Sequence, residues 1–145
     1  LKELTDELTG KGHQAVYVVA DVGERADVEK VAQTARERFG RFDTWVNNAA
    51  TGIYGRLTEV ADEDNRRLFE TNFWGTVYGS QEAVKGLRER GGALINVGSA
   101  LSDRAIPVQG MYATSKHAVK GFTDALRVEL EADNLPVSVT LVKPA

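Results

Sequence analysis

Apolar runs of two different periods alternate along this chain, and that alternation restricts it to a parallel sheet covered by helices. Ala15–Ala20 is a continuous valine-rich run, as expected of a strand buried on both faces. Before it, Leu1, Leu4 and Leu8 repeat at helical spacing, and Gly10 and Gly12 end that helix. After it, Val28, Val31, Ala32, Ala35 and Phe39 form a helical stripe that stops at Gly40. Phe42–Asn47 reads as a second strand. A long helix is predicted over about residues 61–90, with Asp62, Glu63 and Asp64 in its first turn, where the helix dipole favours carboxylates. Ala93–Val97 is a third strand, residues 110–132 a helix, and Val137–Val142 a fourth strand. Strict alternation of this kind gives the α/β class, a doubly wound parallel sheet in three layers, α/β/α.

The 145 residues fit a single domain. A formal charge of -3 with interspersed signs supplies no basic stripe for nucleic acid. There are no cysteines, so disulfides and thiolate metal sites are excluded, which accords with a cytoplasmic location. No apolar stretch approaches the roughly 20 residues that span a bilayer. Neither His13 nor His117 has metal-ligand spacing around it.

The chemistry concentrates in Tyr112-Ala-Thr-Ser-Lys116, with Ser99 thirteen residues before the tyrosine and Asn72 upstream of both. Residues four apart share one helix face. An ammonium beside a phenol favours the phenolate, and this equips Tyr112 as a general acid/base near neutral pH. A hydroxyl such as that of Ser99 holds a substrate oxygen while the proton moves. Asp21, Asn47-Asn48, Ser99 and Pro144 all fall at or just past strand ends. In doubly wound sheets the ligand crevice lies there, outside the carboxyl ends of the strands.

Asp21-Val22, Asn47-Asn48-Ala49-Ala50, Asn72-Phe-Trp-Gly75, Ile95-Asn-Val-Gly-Ser99, the tyrosine–lysine pair and Pro144-Ala145 together resemble the short-chain dehydrogenase/reductase family, over essentially the whole chain. The resemblance implies a Rossmann-like oxidoreductase moving a hydride between NAD or NADP and a carbonyl or alcohol substrate. It makes Tyr112 the proton donor or acceptor and Ser99 the group that orients the substrate oxygen. Lys116 becomes the partner of the nicotinamide ribose, and Asn72 the holder of a water in a proton relay. Asp21, Val22, Asn48, Ala49 and Pro144 join Tyr112 and Lys116 as cofactor-binding positions. It also implies a homodimer or homotetramer built on the helices at 61–90 and 110–132, through Phe69, Phe73, Trp74, Val77 and Tyr78.

Plainer readings stand beside these. Asp21 is also placed to cap a helix, and Asn47-Asn48 to form a turn. The whole chain is also readable as a non-catalytic Rossmann-like binding or regulatory protein, or as an epimerase/dehydratase of the extended branch. Gly52, Ile53, Tyr54, Leu101, Ile106 and Val108 are expected around the opening and suggest an uncharged, fairly apolar substrate. Ala50 and Ala145 replace family glycines, which raises the question of positive φ at both.

No glycine-rich strand–turn–helix of the dinucleotide type occurs in these residues. The expectation is therefore an internal fragment of a longer domain, lacking the first two strands and the C-terminal segment, and inactive by itself. In the family strand order 3-2-1-4-5-6, the runs at 15–20 and 42–47 would lie roughly 14 Å apart, at about 4.8 Å per strand step.

Overall fold

Parallel strands need long crossovers, and in this chain helices supply them. The computed structural model describes all residues, 1–145. Strands β1 (Thr44–Asn47), β2 (Gly92–Val97) and β3 (Val137–Val142) pair in parallel in the order β1-β2-β3. Thr44 lies beside Ala93, and Gly92 beside Val137. Helices α1 (Lys2–Gly10) and α2 (Arg25–Phe39) precede the sheet. The first crossover contains α3 (Asp62–Phe69) and α4 (Gly75–Leu87), and the second is α5 (Gly110–Ala132). No helix is long and apolar enough to cross a membrane.

The core lies where α4 and α5 meet one face of β2 and β3. Ala83, Leu87, Leu94, Leu130, Val137 and Val139 are buried together, with Phe42, Trp45, Val84, Leu126 and Leu135 packed against them. Beside this apolar cluster is a polar layer with its partners filled. The Asn47 amide donates to Asn96 Oδ1 (2.8 Å), to Ser80 Oγ (3.1 Å) and to the Thr76 carbonyl (3.3 Å), while Trp45 Nε1 donates to Asn47 Oδ1 (2.8 Å). Asn96 donates in turn to Thr123 Oγ1 (2.9 Å) on α5. Asn96, Ser80 and Thr123 are fully buried, so each bond replaces one that water would otherwise make. Gly79 lets α4 come this close, because a Cβ there would overlap the Asn47 amide.

Two elements differ from the sequence expectation. Residues 14–20 make no backbone hydrogen bond and are not a strand, although their composition suits one. A strand exists only within a ladder, and no other segment of the chain pairs its backbone with this one. The helix expected over 61–90 carries a π turn at Glu70–Trp74 and ends at Leu87. The Thr76 hydroxyl donates to the Asn72 carbonyl (2.8 Å) at this turn. Such turns hold an extra residue and concentrate at functional sites.

Candidate active site

The loops that leave the carboxyl ends of β1 and β2 define a cleft of about 770 Å³, lined by Ser99 and Tyr112 and walled by Ala50, Tyr54, Leu101 and Ile106 among others. Ser99 begins a 3₁₀ turn at Ala100–Ser102. Its Oγ accepts the Leu101 N–H (3.1 Å), and its own N–H donates to Ser102 Oγ (3.1 Å). That reciprocal cap fixes the Ser99 side chain, and its hydroxyl proton makes no hydrogen bond within the chain.

Tyr112 and Lys116 lie one turn apart on α5, and the lysine ammonium is 5.8 Å from the tyrosine ring centroid. Lys116 is only 3% exposed, and burial lowers its pKa below the usual lysine value. It donates to one group of the chain, the Val97 carbonyl at the end of β2 (2.9 Å). An ammonium has three N–H donors, so two are left without a protein acceptor beneath the cleft.

Asn72 sits in the π turn, 1% exposed. Its Oδ1 accepts the Thr51 N–H (2.8 Å), and its Nδ2 donates to the Thr51 carbonyl (2.9 Å) and to Ser115 Oγ (3.1 Å). Ser115 in turn donates to the Tyr112 carbonyl (2.7 Å). Asn72 therefore ties the loop after β1 to the turn of α5 that carries the tyrosine. Both of its amide N–H groups are used, so the expected water relay has no side-chain donor here.

Val22, Asn48 and Ala49 come together with Ala20, Gly75 and Thr76 around a smaller cavity of about 140 Å³. A Cβ on Gly75 would press against Val22, so this glycine permits that approach. Residues 48–51 run from this cavity to the cleft and join the two. Asp21 does not cap a helix: the cap of α2 is Glu24. Instead the Asp21 carboxylate holds the Arg67 guanidinium and accepts the Gly23 N–H (2.9 Å), and both interactions lower its pKa. The Pro144 carbonyl accepts the Ala100 N–H (2.8 Å), so the segment after β3 closes beside the 3₁₀ turn. Neither Ala50 nor Ala145 adopts a positive φ.

Of the residues expected around the opening, Gly52, Tyr54, Leu101 and Ile106 line the cleft, whereas Ile53 and Val108 do not. Sequence reasoning missed Thr51, Arg104 and Gln109 in the lining, and Ser115 beneath it. Arg104 and Gln109 lie between Ser99 and Tyr112 in sequence, and that bracketing was the available signal. His117 is exposed and its Nδ1 lies 2.8 Å from the Ala113 carbonyl, away from the cleft.

The short chain dehydrogenase family model matches residues 1–145. The chain belongs to the short-chain dehydrogenase family. It is 56% identical over 146 residues to the uncharacterized oxidoreductase YxnA of Bacillus subtilis (strain 168), covering 99% of this chain and 41% of that protein. It is 32% identical over 140 residues to the (S)-acetoin-forming diacetyl reductase of Staphylococcus epidermidis, covering 95% of this chain and 54% of the reductase. A short-chain dehydrogenase/reductase from Burkholderia phymatum, crystallised in complex with NAD, superposes with a TM-score of 0.97 at 29% identity, over 100% of this chain and 52% of that one. The chain thus spans about half the length of these relatives.

Proposed function

We propose that this chain carries the proton-transfer centre of an oxidoreductase that interconverts a carbonyl and an alcohol with NAD or NADP. The observation that carries the reading is Lys116, buried one helical turn from Tyr112 with two N–H donors unfilled. Such a donor pair, at the carboxyl end of a parallel sheet, fits the vicinal hydroxyls of a ribose. Val22, Asn48 and Ala49 would hold the rest of the dinucleotide along the smaller cavity, with Asp21 next to Val22 and Pro144 beside the 3₁₀ turn of the cleft. The bound cofactor would supply or accept the hydride.

The chain's own residues do the remaining work. Ser99, fixed by its cap, directs its free hydroxyl proton at the substrate oxygen. Tyr112 delivers a proton to that oxygen in reduction and removes it in oxidation. Asn72 and Ser115 hold the Tyr112 turn and the Thr51 loop in register, so Asn72 acts by positioning. The cleft loops keep the reacting oxygen among alanine, leucine and isoleucine, where each hydrogen bond counts for more than in water.

Assembly as a homodimer or homotetramer is part of this proposal. Trp74 is 45% exposed, and Phe73 packs edge-on against Phe122 of α5, so the two helices share an outward aromatic surface. Val77 faces inward and is excluded from that surface.

Tyr112→Phe in the full-length polypeptide tests the reading. Turnover of NADH or NADPH with a panel of ketones and aldehydes should fall by about 10²–10⁴-fold, the usual contribution of a general acid, with cofactor affinity retained. Turnover close to that of the parent protein would refute the assignment.

A further inference from the structure

Arg104 is the sole charged side chain among the twelve residues that line the cleft, and it makes no hydrogen bond or ion pair within the chain. The nearest acid in sequence cannot neutralise it. Asp103 is held by both Lys120 of α5 and Lys143 beyond β3 (2.6 Å to the latter), and those two ammonium groups keep its pKa at about 2. Lys120 and Lys143 thus occupy the Asp103 carboxylate, and Arg104 is left in the cleft lining without an acidic partner.

The loop that presents Arg104 is fixed on both sides. The Ser99 cap and the Asp103 ties anchor residues 99–103. Beyond Arg104, the Gly55 N–H donates to the Val108 carbonyl (2.9 Å), and Val108 has a φ of 59°. A β-branched residue adopts that conformation only where its surroundings enforce it. Arg104 is exposed at the cleft, the fixed backbone sets where it can reach, and its planar fork matches the paired oxygens of a carboxylate or phosphate. Thr51 and Gln109 add neutral polar groups to the same lining.

We propose that Arg104 selects carbonyl or alcohol substrates that carry an anionic carboxylate or phosphate, which the guanidinium anchors while Ser99 and Tyr112 engage the reacting oxygen. This rests on reading the cleft as the carbonyl site. It replaces the uncharged substrate suggested by the apolar wall residues alone.

The test uses the full-length polypeptide and matched pairs that differ only in the anion: an oxo acid with its methyl ester, and a phosphorylated ketone with its dephosphorylated form. kcat/KM should favour the charged member of at least one pair by roughly ten- to a hundredfold, the range of a hydrogen bond to a charged group. Arg104→Ala should bring that ratio toward one, and Arg104→Lys should restore part of it. A parent ratio near one for both pairs, or a ratio that Arg104→Ala leaves unchanged, would overturn the proposal. Calorimetric binding of the oxo acid and of the phosphorylated ketone, in the presence of NAD⁺ or NADP⁺, separates the two readings. Anion binding that disappears in Arg104→Ala without any turnover would refute carbonyl reduction while supporting the anchor. Binding of both compounds that Arg104→Ala leaves intact would refute the anchor whatever the turnover.

Discussion

Two valine-rich runs of this chain have similar strand propensity and different fates. Val137–Val142 pairs with β2 along all six residues and buries Val137 and Val139 under α5. Ala15–Ala20 makes no ladder, and Val19 is 73% exposed. The difference shows that composition nominates a strand, whereas a neighbouring backbone and a covering helix make one. Every hydrogen-bonded group that builds the cleft belongs to the paired side: Ser99 follows β2, Lys116 is bonded to Val97, and Pro144 follows β3. From the other side, Ala20 and Val22 reach the smaller cavity, and the Asp21–Arg67 ion pair ties this segment to α3.

Amide exchange would break or sharpen this contrast most strongly. In the 145-residue chain, the amides of β3 that donate to β2 should exchange more slowly than those of residues 14–20 by about a thousandfold or more, since only the former must open a ladder to exchange. Equal protection of the two runs would dissolve the comparison. Next in size is the polar layer on the paired side. Asn96→Ala removes partners of Asn47, Ser80 and Thr123 at once, and should lower the unfolding free energy by about 3 kcal/mol in denaturant titration. A loss below about 1 kcal/mol would mean that the layer is not holding β1 and β2 to their helices.

A smaller effect concerns acid. The folded pKa of Asp103 lies below its ordinary value of 3.8, at about 2. Its ionised form is therefore favoured by folding, and the contribution is complete above about pH 4. It declines as the pH falls toward 2, where the native carboxyl also protonates. Because the ties are exposed, the change should be modest. Asp103→Asn should flatten the decline between pH 4 and 2 in thermal melts taken across that range. An unaltered acid limb would show that the loop before Arg104 is held by other contacts.

The order of elements on the paired side was legible from period and glycine placement. Residues 110–132 and 137–142 are helix and strand as the sequence indicated. The run at 15–20 has the composition of a strand and makes no ladder, because no partner strand for it lies among these residues. The π turn at Glu70–Trp74 had no sequence signature, since its residues continue the helical pattern on either side. In the site, Tyr112, Lys116 and Ser99 were singled out from spacing; Ser99 and Tyr112 line one cleft, and Lys116 is buried one turn from the tyrosine. Arg104 was overlooked because an arginine in a loop looks like solvated surface until the cleft around it is seen. The partners of the Asn72 amide, Thr51 and Ser115, could not be read from spacing, because they lie 21 and 43 residues away.

Under the proposed function, hydride and proton meet at the Tyr112 cleft. Its most direct test supplies the full-length polypeptide with NADH or NADPH deuterated at the transferring carbon, together with the carbonyl panel, and reads the alcohol products by mass spectrometry. Deuterium is expected on the carbinol carbon of at least one product, formed catalytically. Cofactor binding without any labelled alcohol from the panel, or alcohol formed without the label, would contradict it.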